Sequence, residues 1–358
     1  MKTLIRPART AVLAASLFAT AGAQAAQYAY VANSGSNSIS QYVIGPEGKL
    51  VPMAAPTVAA DSAPRSIAID PTGHYAYATN YGSGTVSQYT IGADGALKPM
   101  NPPTVAAGIN PVGIILDAAA KSVYVTNAGG GSVSQYAIGS DGALTPIGKR
   151  NALAGNTPTA LAIDPSNEHA YVANQGANTI SQFAIAGGGT LLPMGALMAA
   201  TGSGPGSIAL DPTGHHAYVT NVGSNTVSQY DIDSGGSLVP MKPPTVATGS
   251  APYFIRLTPS GQFAYVANNA SNTISEYRVG PDGALTRLTA SDISTGSSPI
   301  AIDTDPSGKH LYVANNGSGT LSCYTIGADG KLAPAKTPTV SSQSFPTFIA
   351  TLQTAAAH

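Results

Sequence analysis

The chain has 358 residues, of which 43% are hydrophobic and only 9% are charged, and its 16 Lys and Arg residues nearly balance its 17 Asp and Glu residues. This balance excludes the strongly basic surface that nucleic acids or anionic lipids require. The 40 Gly and 27 Pro residues fall short of the share, about 25–30% of a chain, that is typical of disordered sequences, so the chain is expected to fold.

The first 25 residues have the pattern of a secretory signal peptide. Three basic residues within positions 1–10 precede an apolar stretch at 11–23, and Ala-Gln-Ala at 23–25 has the spacing of a cleavage site. The apolar stretch is shorter than the about 20 residues that a membrane-spanning helix needs. We therefore expect cleavage before Ala26 and a periplasmic or secreted protein without membrane insertion.

The rest of the chain repeats at a fixed length. A Tyr-x-(Ala/Thr)-Asn motif recurs seven times at intervals of 47 residues, beginning at Tyr30, Tyr77, Tyr124, Tyr171, Tyr218, Tyr265 and Tyr312. A Pro-x-x-(Ile/Leu) motif recurs at the same interval, beginning at Pro64, Pro111, Pro158, Pro205, Pro252, Pro299 and Pro346. A constant period of this length indicates an architecture in which each repeat forms one supersecondary unit.

Each repeat predicts four β-strands. Short runs of apolar, β-branched and aromatic residues alternate with turn sequences such as Asp70-Pro71-Thr72-Gly73 and the hairpin pair Asp94-Gly95. In this repeat the strands are predicted at 64–70, 75–80, 85–91 and 97–106. No stretch of about ten residues has helical periodicity, so the repeat is an antiparallel meander.

The two ends of the chain complement each other. The motif strand at Tyr30 has no Pro-x-x-Ile strand before it, whereas the strand at 346–352 follows all the others. Residues 28–60 therefore supply three strands of a unit, and residues 346–352 supply its missing first strand. An open solenoid would need polar caps, which the sequence lacks. We predict an all-β, seven-bladed β-propeller of four-stranded antiparallel blades, formed by residues 26–358 as a single domain and closed by one composite blade.

The repeat motif resembles that of a known family. Tyr-Val-Thr-Asn at 124–127 and 218–221, together with Ile-Ala-Ile-Asp-Pro at 67–71, is similar to the motifs of the YVTN-repeat propellers and of the lactonase family of seven-bladed propellers. That family includes bacterial 6-phosphogluconolactonase. The resemblance covers essentially the whole chain after residue 25. It implies a seven-bladed ring, and it implies lactone hydrolysis by His, Arg and Glu side chains near the central channel.

The predicted ring has two faces. We call the face where the first strands begin, at Pro64 and its equivalents, the proline face, and the face where they end, at Asp70 and its equivalents, the aspartate face. Ligands are expected on the proline face, which also carries the loops after the motif Asn residues. All the internal histidines fall on the aspartate face, where they are expected to be solvated turn residues: His74, His169, His215, His216 and His310. We predict no metal site and no cofactor.

Departures from the repeat mark a candidate site. At the position four residues after each motif proline (Pro+4), five blades carry a small or aliphatic residue, whereas two neighbouring blades carry Arg256 and Asp303. These opposite charges predict an ion pair between first strands or a ligand-binding pair. At Pro+1 and Pro+2, large or charged residues break the repeat in the same part of the ring, namely Arg65, Tyr253, Phe254 and Phe348.

These residues predict a channel mouth whose charged and aromatic side chains lie on one side of the ring. Arg65 and Arg256 would bind an anion or a carbonyl group, and Asp303 would orient them or act as a weak base; these three are the candidates for catalytic residues. An apolar wall and one rim residue complete the predicted binding site, formed by Tyr253, Phe254, Phe348 and Tyr81. The alternative for the aromatic residues is that they only fill space.

Three functions remain open from the sequence. We favour a module that binds a small molecule, a glycan or an envelope protein, because the fixed repeat length leaves no unequal loops over the channel, and because no His or Glu lies there. The alternatives are a lactone hydrolase with a reduced active site and a structural envelope component. In each case we expect a monomer that does not bind nucleic acid.

Overall fold

The computed structural model describes residues 26–148 and 151–354. Within these ranges the only helical segments are three single 3₁₀ turns, at Pro46–Gly48, Ala128–Gly130 and Gly187–Gly189. No helix in the same ranges is long and apolar enough to cross a membrane. The predicted signal peptide lies outside the described residues.

The strands form seven antiparallel sheets, one in each blade. The composite blade contains β1 (Gln27–Asn33), β2 (Ser38–Ile44), β3 (Leu50–Ala59) and β30 (Pro346–Gln353). The next three blades contain β4 (Pro64–Ile69), β5 (Tyr75–Asn80), β6 (Thr85–Ile91) and β7 (Leu97–Ala106); β8 (Pro111–Leu116), β9 (Ser122–Asn127), β10 (Ser132–Ile138), β11 (Leu144–Pro146) and β12 (Ala152–Leu153); and β13 (Pro158–Ile163), β14 (His169–Asn174), β15 (Thr179–Ala186) and β16 (Thr190–Ala200). The last three contain β17 (Pro205–Leu210), β18 (His216–Asn221), β19 (Thr226–Ile232) and β20 (Leu238–Ala247); β21 (Pro252–Leu257), β22 (Phe263–Asn268), β23 (Thr273–Val279), β24 (Leu285–Arg287) and β25 (Ile293–Ser294); and β26 (Pro299–Thr304), β27 (His310–Asn315), β28 (Thr320–Ile326) and β29 (Leu332–Ser341).

The seven sheets close into a ring. The first strand of each blade lies innermost, and each inner strand contacts the inner strand of the next blade, with β30 touching both β26 and β4. In the composite blade β30 pairs with β1, placing Ala350 opposite Tyr30. The seven-bladed propeller and its composite blade are therefore confirmed. Two blades differ from the repeat, because their fourth strand is divided into β11 and β12 or into β24 and β25.

The hydrophobic core lies between the blades. Seven apolar clusters are buried, and each combines residues of two neighbouring blades. Because both faces of a blade are packed in this way, its strands offer few positions for charged side chains. This packing explains why only 9% of the residues are charged.

The motif tyrosine joins each blade to the next. The hydroxyl group of Tyr30 donates a hydrogen bond of 2.6 Å to the carbonyl oxygen of Gly95, and the equivalent bond recurs at every interface between blades. Gly95 has a φ of +78°, and a Cβ atom there would lie 2.3 Å from the ring of Tyr28. The hairpin glycine is therefore required both by its backbone conformation and by the neighbouring blade.

A second bond between blades is present at six of the seven interfaces. The side-chain oxygen of a Gln or Glu on the third strand accepts a hydrogen bond of 2.6–2.7 Å from a Leu amide of the next blade. At the seventh interface Cys323 occupies this position, and no side chain of the described residues accepts a hydrogen bond from the amide of Leu50. The interface between the last full blade and the composite blade therefore lacks this bond.

The motif asparagines do not form a polar binding face. All seven are fully buried, and their side-chain amides bond within their own blade, as Asn80 Nδ2 does with the hydroxyl oxygen of Ser87 at 2.9 Å. Although the loops that follow them lie on the proline face, the asparagine side chains are not available there to a ligand. Their amides are needed inside the fold, where an unpaired polar group would be costly.

The aspartates at the ends of the inner strands stabilise turns. Asp70 Oδ1 accepts hydrogen bonds from the amides of His74 and Tyr75, and its equivalents make similar bonds. Two of the five internal histidines, His74 and His215, are exposed as expected, whereas the other three are less solvated. His169, His216 and His310 begin second strands with 16–18% of their side chains exposed, since each packs against the hairpin glycine of the next blade.

Candidate functional site

A central cavity of about 690 Å³ runs along the axis of the ring and is lined by the inner strands of all seven blades. Its wall is mostly aliphatic. Among the described residues the wall contains no Asn, Gln, His, Glu or Lys side chain. The charged side chains in the wall are Arg65, Asp164, Asp211, Arg256 and Asp303. The pattern of an apolar cavity with a few polar groups is typical of small-molecule sites.

Arg256 and Asp303 form an ion pair in this wall. They lie on the neighbouring inner strands β21 and β26, and Arg256 Nε is 2.9 Å from Asp303 Oδ1. The Arg256 side chain is 49% exposed, whereas that of Asp303 is only 8% exposed. The pair predicted from the Pro+4 position therefore exists, with its cation facing the cavity and its anion buried in the wall.

Asp303 is held by the ion pair and by three hydrogen bonds. Besides Arg256, the amide of Thr304 donates to Oδ1 at 3.0 Å, and the amide and hydroxyl groups of Thr351 donate to Oδ2 at 2.8 and 3.0 Å. Burial raises the pKa of the Asp303 carboxyl above its usual value, although Arg256 and the two threonines act in the opposite direction. All four contacts are donors, so the carboxylate serves as an acceptor that fixes Arg256.

The two threonines were missed by the sequence analysis. At Pro+5 the other five blades carry Ile or Leu, whereas Thr304 and Thr351 stand in the last two positions of the ring. The same search that found Arg256 and Asp303 at Pro+4 would have found them at Pro+5. They were overlooked because a threonine in a strand is ordinary unless it is compared with its equivalents.

The guanidinium group of Arg256 has capacity left for a ligand. Only its Nε bonds to Asp303, and its terminal nitrogens make no hydrogen bond to any residue within 26–148 or 151–354. Such N–H groups can donate to a carbonyl oxygen or to a carboxylate in a planar, paired geometry. Arg256 is therefore the group of the cavity best placed to bind an oxygen that is negative or becomes so.

An aromatic pair lies next to Arg256. The rings of Phe254 and Phe348 meet edge to face with their centroids 5.5 Å apart. Phe254 and Arg256 are two residues apart on β21, so their side chains project to the same side of the strand. The two phenylalanines belong to the blades on either side of β26, which carries the small residue Ala301 at the same repeat position. The apolar wall predicted from the sequence thus adjoins the cation.

Arg65 belongs to a different level of the cavity. Its guanidinium carbon lies 5.9 Å from the centre of the Tyr81 ring, which is 40% exposed on the proline face. Arg65 is at Pro+1, as is Tyr253, whereas Arg256 and Asp303 are at Pro+4, and three residues of an extended strand span about 10 Å. The single mouth expected from the sequence is therefore divided into a proline-face level and an aspartate-face level.

No part of the described chain offers a metal centre. No group of three or more His, Cys, Asp or Glu side chains within the described ranges is placed to share an ion. The carboxylates of Asp164 and Asp211, which line the cavity, already accept hydrogen bonds from their own turns. The site thus consists of the Arg256 guanidinium, which the buried Asp303 holds in place, and the neighbouring rings of Phe254 and Phe348.

The ring of seven blades around a central cavity makes this protein a seven-bladed β-propeller. The family model described as "Lactonase, 7-bladed beta-propeller" matches residues 19–106 and 93–349. The chain belongs to this lactonase family of seven-bladed β-propellers. A comparison with curated proteins found no match.

Solved structures share the fold at low sequence identity. A candidate 6-phosphogluconolactonase from Bacteroides fragilis has a TM-score of 0.81 and 22% identity, covering 92% of this chain and 98% of its own. The periplasmic gluconolactonase of Pseudomonas aeruginosa has a TM-score of 0.78 and 19% identity, covering 93% of this chain and 100% of its own. Hydrazine synthase from Kuenenia stuttgartiensis has a TM-score of 0.65 and 19% identity, covering 82% and 96%. The similarity of such different proteins concerns the fold alone.

Proposed function

We propose that this propeller binds a lactone in its central cavity and hydrolyses it, with Arg256 as the electrophilic group. The observation that carries the proposal is the half-exposed guanidinium of Arg256, which faces the cavity while the buried Asp303 holds it by its Nε. Membership of the lactonase family supports the same reaction class.

The chemistry follows from the charge that develops during hydrolysis. Water attacks the lactone carbonyl carbon, the carbonyl oxygen becomes an oxyanion, and collapse of this intermediate breaks the ring C–O bond to give a hydroxy acid. A fixed donor aimed at the oxyanion lowers the barrier because it needs no reorganisation as the charge appears. Arg256 supplies that donor, and Asp303 acts as a positioning residue that holds the guanidinium by its Nε.

A second candidate function is binding without turnover. Asp303 is engaged by the ion pair with Arg256 and by three hydrogen bonds, and the described cavity wall has no His or Glu that could take the proton of the attacking water. These observations favour a binding module for a small anionic or carbonyl ligand. In the hydrolase this proton must leave to solvent, so turnover should be slow and should rise with hydroxide concentration.

The test uses a double variant whose new residues already occur at the same position in other blades. Arg256→Ala alone would leave a buried, unpaired carboxylate and would endanger folding. Arg256→Ala with Asp303→Ala gives Pro+4 the alanine that four other blades carry at Ala68, Ala162, Ala209 and Ala350. We expect the mature protein to consume base in a pH-stat with a panel of lactones, and the double variant to lose about 10²-fold or more in kcat/KM.

This experiment distinguishes lactone hydrolysis from binding without turnover. If the double variant folds and turns over lactones at the rate of the unaltered protein, Arg256 is not the electrophile. If no lactone is hydrolysed but a lactone binds by calorimetry and the double variant loses that binding, the binding module is supported instead.

We further propose that the protein acts outside the cytoplasm. The pattern of positive charge, apolar stretch and Ala-Gln-Ala in residues 1–25 supports export. N-terminal sequencing of the protein from a periplasmic or culture fraction should begin at Ala26. Recovery of a chain that still begins at Met1 in the cytoplasmic fraction would contradict this.

A further inference from the structure

The lining of the cavity carries information about the substrate class. We propose that the lactone taken by this site bears an alkyl chain or an aromatic ring, and is not a polyhydroxylated sugar lactone. This inference rests on the proposed function, since it names the substrate of the same site.

The first argument is the shortage of polar partners. The wall has no Asn, Gln, His, Glu or Lys among its described residues, and the carboxylates of Asp164, Asp211 and Asp303 already accept hydrogen bonds from the protein. Arg65 and Arg256 are the charged side chains left to pair with hydroxyl groups. A sugar lactone brought into such a wall would replace only part of its hydrogen bonds to water, which is costly for each unpaired hydroxyl group.

The second argument is that three threonines of the wall already use their hydroxyl groups within the protein. The hydroxyl of Thr347 donates toward the carbonyl oxygens of Ala32 and Pro64 at 3.1 and 3.0 Å. That of Thr351 contacts Asp303 and the carbonyl oxygen of Thr304, and that of Thr159 bonds carbonyl oxygens of its own and the next blade. Their donors serve the protein and not a ligand.

The third argument is the position of the aromatic pair. Phe254 lies two residues from Arg256 on the same side of β21, a separation of about 7 Å along the strand, and its ring meets Phe348. A lactone whose carbonyl oxygen is held by Arg256 can therefore lay a substituent of its ring against both phenylalanines. Burial of apolar surface there favours a substituent of carbon and hydrogen.

The experiment compares lactones that differ only in this substituent. We would measure kcat/KM for γ-lactones with unbranched side chains of increasing length and for glucono-δ-lactone, by pH-stat. The expected result is a rise of about fourfold for each added methylene until the cavity is filled, with glucono-δ-lactone below the longer-chain lactones. A flat chain-length series, or a glucono-δ-lactone value above all the alkyl lactones, would overturn the inference while leaving the proposed hydrolysis intact.

Variants of the two phenylalanines test whether they cause the chain-length dependence of kcat/KM. Phe254→Ala and Phe348→Ala should each flatten the chain-length dependence, and Phe254→Leu, a milder change, should reduce its slope. Phe345→Ala is the matched control, because Phe345 is 55% exposed and does not line the cavity. An equal loss of slope in Phe345→Ala would assign the effect to stability and not to the aromatic pair, which would overturn the placement.

Failure of the proposed function gives a different result. If no lactone is hydrolysed, calorimetric titration with the corresponding alkyl lactams, which keep the ring carbonyl, tests the ligand class alone. Affinity that increases with chain length supports the inference without hydrolysis, and affinity independent of chain length overturns it.

Discussion

The hydroxyl group of Tyr312 donates a hydrogen bond of 3.0 Å to the carbonyl oxygen of Gly48, although 264 residues separate the two along the chain. The same bond joins the other neighbouring blades across 65 residues, as between Tyr171 and Gly236. The contact that closes the ring is thus the ordinary contact between blades, made by the two ends of the chain.

Tyr312→Phe should weaken this closure. The change removes one donor and leaves a buried carbonyl oxygen without its partner, so we expect a loss of about 1 kcal/mol in the free energy of unfolding. Urea denaturation followed by circular dichroism measures it. Tyr171→Phe, which removes the same bond inside the chain, is the control and should lose a similar amount. A loss in Tyr171→Phe without one in Tyr312→Phe would mean that closure does not depend on this bond.

Cys323→Gln should stabilise the protein. A glutamine at this position can accept the hydrogen bond from the amide of Leu50 that its equivalents accept at the other six interfaces. We expect a gain of about 1 kcal/mol in the same denaturation experiment. Cys323→Ser, whose side chain is too short to reach Leu50, is the control. A lower stability of the glutamine variant would indicate that this interface has no room for the longer side chain.

The thiol of Cys323 should be inert in the folded protein. It is 1% exposed, and burial raises its pKa to about 12, so little thiolate is present near neutral pH. Iodoacetamide at about pH 8 should leave Cys323 unmodified until urea unfolds the chain, as judged by intact-protein mass spectrometry. Rapid alkylation well below the unfolding transition would contradict the burial.

Acid should weaken the turn at Asp305. Burial acts to raise the pKa of this carboxyl, but hydrogen bonds from His310 and Ser307 outweigh it and leave the pKa below its usual value. Because the folded-state pKa is depressed, the stabilisation is present above the unfolded-state pKa of about 3.9 and is lost as the pH falls through the folded-state pKa.

Asp305→Asn should therefore lower Tm at neutral pH and have a smaller effect in strong acid, measured by thermal unfolding across a pH series. Asp141→Asn, a change in an exposed hairpin, is the control and should leave Tm nearly unchanged throughout. A deficit of Asp305→Asn that stays constant from neutral to acid pH would show that the charge of Asp305 does not contribute.

Arg65 and Arg256 should differ in their effect on turnover. They lie at levels of the cavity about 10 Å apart, and only Arg256 is held by a buried carboxylate. We expect Arg65→Ala to lower kcat/KM for lactones less than tenfold, against about 10²-fold or more for the Arg256→Ala, Asp303→Ala double variant. A larger loss in Arg65→Ala would move the reaction to the proline-face level.

Much of this architecture could be predicted from the sequence. The 47-residue period placed Tyr75–Asn80, Thr85–Ile91 and Leu97–Ala106 within the bounds that the structure has. It also predicted that residues 346–352 complete the first blade. Strand pattern and turn chemistry are local properties, and seven repetitions reduce the uncertainty of each one.

The site could be predicted only in part. Comparison of equivalent positions identified Arg256 and Asp303, because an ion pair in a neutral wall stands out against its repeats. It did not separate Arg65 from Arg256 by level, and it did not find Thr351, whose amide and hydroxyl groups hold Asp303 from the neighbouring blade.

The sequence by itself determined the number of blades, the strand order and the way the chain closes, since these depend on patterns within each repeat. Only the tertiary structure decided that the motif asparagines are buried, that three of the histidines pack against glycines of the next blade, and that Arg256 faces the cavity with free N–H groups. These features depend on contacts between blades, where side chains of one repeat meet the backbone of another. No periodicity within a single repeat specifies that geometry.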